Sequence, residues 1–174
     1  MPSIVDDPNE NFNERPIRPN GIIVHSAAET LDKVPAENFM RQNRYSYHNL
    51  IRPNGEIIRA VDWDKRAWHA GKSRYEGQTN LNDSFIGICL LVQGADNWTE
   101  FLDRIADFDA YTDEQYESLA YLCKKATKKY DFDTIVPHSL VSGPDVRDDP
   151  KPDPGTGFSF PRLKQKMEDL NGDS

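Results

Sequence analysis

The polar opening of the chain, Met1 to Pro19, is rich in Asn, Asp, Glu and Pro and gives way abruptly to the β-branched run Gly21-Ile22-Ile23-Val24-His25. An apolar run without alternation reads as a strand buried on both faces. The first nineteen residues read as an extended N-terminal arm, and residues 20–174 as one domain. Pro35 to Asn43 predicts a helix with proline near its first turn. Tyr45–Ile51 and Glu56–Val61 then form a hairpin across Pro53-Asn54-Gly55, where Asn-Gly supplies the positive φ angles of a tight turn. Phe85 to Val92 is a second apolar run and predicts a central strand.

Further along, Thr112 and Gln115 have the spacing of a capping box. They open a helix whose stripe is Tyr116, Leu119, Ala120, Leu122, Cys123 and Ala126. Ile135-Val136 predicts a short strand ending at His138. Ser139 to Gly155 is a long loop of Pro, Asp and Gly, and a last helix runs from about Pro161 to Leu170. Strands mixed with helices, and one hairpin between strands, predict an α/β fold: a central mixed β-sheet flanked by helices.

Composition narrows the function classes. A chain of 174 residues has room for one core and not two. With 37% hydrophobic and 29% charged residues it is a soluble globular chain, not a disordered one. A net charge of -8 argues against nucleic acid or anionic lipid as partners. Cys89 and Cys123 make neither a disulfide framework nor a cysteine-rich zinc site. No segment is long and apolar enough for membrane insertion. The N-terminus lacks the charge and apolar pattern of a signal peptide, so the protein is expected to stay cytoplasmic as synthesised. A monomer is expected.

Histidine is scarce: His25, His48, His69 and His138. His25 and His138 close predicted strands, and strand ends deliver side chains to a common edge of a sheet. Two imidazoles there, with a carboxylate from the loop after His138, would make a three-ligand catalytic zinc site with an open position. Asp145, Asp148, Asp149 and Asp153 all offer that carboxylate. The alternative is that the histidines are structural.

Several motifs resemble a known family. Ile51-Arg52-Pro53-Asn54-Gly55-Glu56-Ile57-Ile58, then Asp64-Lys65-Arg66-Ala67-Trp68-His69-Ala70-Gly71, then Asn82-Asp83 before Ile86-Gly87-Ile88, and finally Lys151-Pro152-Asp153-Pro154-Gly155 with Phe158 occur in order. They resemble the AmpD-like branch of the N-acetylmuramoyl-L-alanine amidase type 2 family, whose fold is shared with phage amidase lysozymes and peptidoglycan recognition proteins. The resemblance implies Zn2+ held by His25, His138 and Asp153 at one edge of the sheet, and Lys151 in the active site. It implies hydrolysis of the N-acetylmuramic acid–L-alanine amide in peptidoglycan or muropeptides. Where AmpD-like members carry a catalytic glutamate this chain has Cys89, as phage lysozymes tend to. Those relatives use a tyrosine, matched here by Tyr47. Cys89 reads either as core or as a thiol beside the metal. Trp68, His69, Tyr75 and Asn82 are expected along the substrate groove, against a plain packing or turn role. The competing function is a peptidoglycan-binding module without catalysis, in which zinc ligands are commonly lost; here all three positions and Lys151 are intact. Polymeric wall and anhydro-muropeptide both stay open as substrates.

Overall fold

Six strands of the computed structural model, which describes residues 1–172, form one mixed sheet. They are β1 (Ile4–Asp6), β2 (Gly21–Ala28), β3 (Asn49–Ile51), β4 (Ile57–Arg59), β5 (Phe85–Val92) and β6 (Ile135–Pro137), in the spatial order β1-β4-β3-β5-β2-β6. The β3–β4 hairpin is antiparallel, and the other pairings are parallel. All eight residues of β5 are buried, as its unbroken apolar run requires when both faces are covered.

Among the described residues five α-helices accompany the sheet: α1 (Ala36–Gln42), α2 (Trp98–Ile105), α3 (Asp113–Tyr130), α4 (His138–Val141) and α5 (Phe160–Gly172). Strand residues alternate between faces. Ile22, Val24, Ile86, Ile88 and Leu90 share a core with Leu119, Leu122, Cys123 and Ala126 of α3 and Leu163 of α5. On the opposite face Cys89 and Leu91 pack with Ala36 and Met40 of α1, Tyr47 and Leu50. His25 has the parity of Ile23 and stands beside Cys89 in register, so it belongs to this second face.

The capping box of α3 is formed, with Thr112 accepting from the Gln115 backbone. Gln115 Nε2 also donates to the carbonyls of Ile51 at 3.1 Å and Leu91 at 2.8 Å, tying the helix start to β3 and β5. Three expectations are corrected. The hairpin strands are shorter, three residues each, because the N–H groups of Ala60 and Val61 both donate to the His48 carbonyl, which ends the regular pairing there. The strand through His25 runs on to Ala28, since small Ser26, Ala27 and Ala28 continue the pairing with Leu90 to Val92. Helix α2 is an element the apolar pattern did not predict, started by Asn97, whose side chain accepts from the Glu100 N–H at 3.0 Å.

The segment expected as an N-terminal arm is extended, and its Ile4–Asp6 is edge strand β1 of the main sheet. Ile4–Asp6 pairs with β4, and Phe12–Glu14 pairs with Lys65–Ala67. Arg15 donates to the carbonyls of Trp63 at 3.0 Å and Asp83 at 3.1 Å. No described helix is long and apolar enough to cross a membrane.

Candidate metal centre and groove

Each donor of the centre comes from a different segment. His25 projects from β2, His138 opens α4 just past edge strand β6, and Asp153 comes from the proline-rich loop that follows. The Asp153 carbonyl accepts from Ser139 N–H at 3.0 Å, and Lys151 N–H donates to Ser142 at 3.0 Å, so the loop closes back on α4. Tyr111 Oη donates to the Pro154 carbonyl at 2.6 Å and pins the far side.

All three side chains are buried, and one donor atom from each lies within 4.8 Å of the others. His138 Nδ1 stands 3.0 Å from Asp153 Oδ1, and His25 Nδ1 stands 3.5 Å from Asp153 Oδ2. Among the four aspartates that sequence left open, Asp145, Asp148 and Asp149 are exposed, and Asp145 and Asp149 pair with Arg74 and Arg147. Only Asp153 reaches the histidines.

Electrostatics favour donor pairs. Burial, with His138 nearby, lowers His25 to about 4, so its ring is neutral near pH 7. Burial opposes ionisation of Asp153, but the adjacent His138 leads the influences that reverse this and hold its carboxyl below the ordinary range. His25 Nδ1 is buried with no hydrogen-bond partner among the described residues. An orphaned buried lone pair normally costs energy, and a cation facing it removes the anomaly. Two imidazoles and one carboxylate are the donor set of a catalytic zinc site.

The centre lies in a groove of about 610 Å3 whose wall includes Tyr47, Trp68, His69, Asn82 and Lys151. A larger cleft of about 760 Å3 beside Trp63 and Tyr130 shares no wall residue with it and contains no histidine, so we assign the chemistry to the smaller space. The Tyr47 ring lies 4.8 Å from that of His25. Burial first, then Cys89 and Asp153, push its phenol well up, so it is a donor. Cys89 is fully buried, and burial pushes its thiol up too; it is not among the grouped metal donors.

A family model described as N-acetylmuramoyl-L-alanine amidase matches residues 14–156. The chain belongs to the N-acetylmuramoyl-L-alanine amidase family. The 1,6-anhydro-N-acetylmuramyl-L-alanine amidase AmpD of Salmonella typhimurium (strain SL1344) is 38% identical over 121 residues, covering 70% of this chain and 56% of that protein. The chain thus spans little more than half the length of this curated relative. A crystal structure of a selenomethionine AmpD derivative superposes with a TM-score of 0.75 at 28% identity, covering 96% of both chains. The amidase AmiD from E. coli, in complex with anhydro-N-acetylmuramic acid-L-Ala-D-gamma-Glu-L-Lys, superposes with a TM-score of 0.65 at 25% identity, covering 85% of this chain and 57% of that one.

For a member of this family, the other positions expected along the groove are informative. Trp68 is half-buried and donates from Nε1 to Asn13 of the arm at 2.9 Å. Asn82 is buried, and its side-chain carbonyl accepts from the backbone N–H of His69 at 3.0 Å and Ala70 at 2.7 Å. His69 is buried, with Nδ1 2.9 Å from His25 Nε2. Tyr75 is not brought to the groove: the Arg74–Tyr75 ladder with Gln78–Thr79 sets its ring against Phe85, 6.1 Å between centroids. Arg44, Arg147, Trp98 and Phe101 do line the groove, and sequence reasoning missed them. The N-cap at Asn97 was the available signal for the last two.

Proposed function

We propose that this chain hydrolyses the amide between N-acetylmuramic acid and L-alanine in muropeptides and peptidoglycan, with zinc held by His25, His138 and Asp153. One observation carries the reading: two histidines and a carboxylate converge, with His138 and Asp153 lining an open groove and His25 beside them. The muropeptide named in the AmiD complex supports the substrate class.

When bound, zinc supplies Lewis acidity, which polarises a carbonyl and lowers the pKa of water to about 7. The protein's residues do the rest. Tyr47 holds a proton on Oη beside the donor set and donates a hydrogen bond to the attacking water oxygen or to the amide carbonyl oxygen as it gains charge. Lys151, ion-paired with exposed Asp149 at 3.5 Å, faces the groove. Its fixed positive charge stabilises the oxyanion that grows as the amide carbon becomes tetrahedral. Tyr47 and Lys151 are the two nearby carriers of a proton for the departing alanine amine. Arg44 and Arg147 suit the carboxylates of an acidic stem peptide.

The test is to incubate purified protein with intact sacculi and, separately, with anhydro-muropeptides, each with and without a chelator. Release of free stem peptide that stops on chelation is expected. Binding without release would favour the non-catalytic module, and release unaffected by stripping the metal would overturn the mechanism.

A further inference from the structure

His69 lies behind the donor set. Its Nε2 faces the backbone carbonyl of Phe85 at 3.1 Å. A carbonyl only accepts, so the single proton of the neutral ring belongs on Nε2 and Nδ1 is left as an acceptor. That Nδ1 lies 2.9 Å from His25 Nε2. Two bare ring nitrogens would repel at this distance, so His25 must donate from Nε2. Its one proton is then spent, and its Nδ1 faces Asp153 with an unprotonated lone pair.

The surroundings hold this arrangement. Asn82 fixes the backbone of His69 and Ala70. Gly87 leaves space for the ring: a Cβ there would lie 2.5 Å from His69 Cγ and Nδ1. The Gly87 N–H donates to Nδ1 of His48 at 3.0 Å, and the His48 ring packs 5.6 Å from that of His69.

We propose that His69 is a positioning residue: it accepts the proton of His25 Nε2, and so sets the tautomer that presents His25 Nδ1 to the metal. The inference rests on the metal reading above. A partner of this kind behind a metal-binding histidine is worth roughly 10- to 100-fold in metal affinity.

The test has two readouts. Long-range proton–nitrogen NMR of the metal-free, nitrogen-15-labelled protein at neutral pH reads the His25 tautomer directly. Competition against a chromophoric chelator reads zinc affinity. In the wild type the His25 proton is expected on Nε2. His69→Leu removes the acceptor and is expected to mix the His25 tautomers and weaken zinc by roughly 10- to 100-fold. His69→Asn returns a carbonyl oxygen near the place of Nδ1 and is expected to restore most of both. A proton on His25 Nδ1 in the wild type overturns the proposal, as does a folded His69→Leu with wild-type zinc affinity. Should His69→Leu fail to fold, the wild-type spectrum and His69→Asn decide. A wild-type protein that binds no zinc overturns the metal reading itself, and the ring spectrum separates that failure from a failure of His69.

Discussion

The backbone N–H of Ser26 donates to Asp153 Oδ2 at 3.1 Å, which ties a loop carboxylate to the strand that carries His25. The bond spans 127 residues of sequence and fixes one donor against another without using a side chain of β2. It also predicts how Asp153 variants differ.

Asp153→Asn keeps an oxygen for the Ser26 N–H and loses the charge. It is expected to fold with nearly wild-type stability and to lose zinc and turnover together. Asp153→Ala also leaves the Ser26 N–H unpaired, which costs about 1–3 kcal/mol. Metal content by mass spectrometry and urea midpoints check the pair. His25→Ala and His138→Ala should also abolish zinc retention, and wild-type turnover in either would sink the assignment.

Tyr47→Phe keeps the ring against His25 and removes Oη. It is expected to lower kcat by roughly 100-fold or more with KM and zinc content unchanged. Lys151→Met should lower kcat by roughly 100- to 1000-fold. Steady-state kinetics with a muropeptide substrate reads both, and a change confined to KM would remove the catalytic role.

Gly87→Ala forces a Cβ to within 2.5 Å of the His69 ring, and a buried ring between β5 and Asn82 has little room to give. The expected cost is about 1–3 kcal/mol, measured as a lower urea midpoint.

His48 is neutral in the fold, lowered to about 3 by burial and then by Arg15. Its ordinary value is about 6.5, so below that pH the unfolded chain binds a proton that the folded one refuses. The contribution to stability is complete above about pH 6.5 and shrinks as pH falls toward 3, by up to about 1.4 kcal/mol per pH unit. His48→Asn keeps an acceptor for the Gly87 N–H and removes the titration. Its urea midpoint should fall less steeply between pH 6.5 and 4 than that of the wild type. Equal slopes would show that His48 is not held neutral.

Local chemistry made part of the protein legible in advance. The apolar run of β5, the Asn-Gly hairpin and the capping box of α3 follow from side-chain period and turn or cap preference, which act over a few residues. The order of motifs around His25, Trp68-His69 and Asp153 carried the family and pointed to three side chains that the fold groups together. What tertiary structure alone decided depends on distances between remote segments. It selected Asp153 over three exposed neighbours, because only that carboxylate meets the Ser26 N–H. It turned Tyr75 onto Phe85 and brought in Arg44 and Trp98. It also placed the Phe85 carbonyl behind His69, so that a proton's position on one ring follows from a backbone group 60 residues away. Hydrogen-bond direction is set by which groups meet, and only the folded chain brings these together.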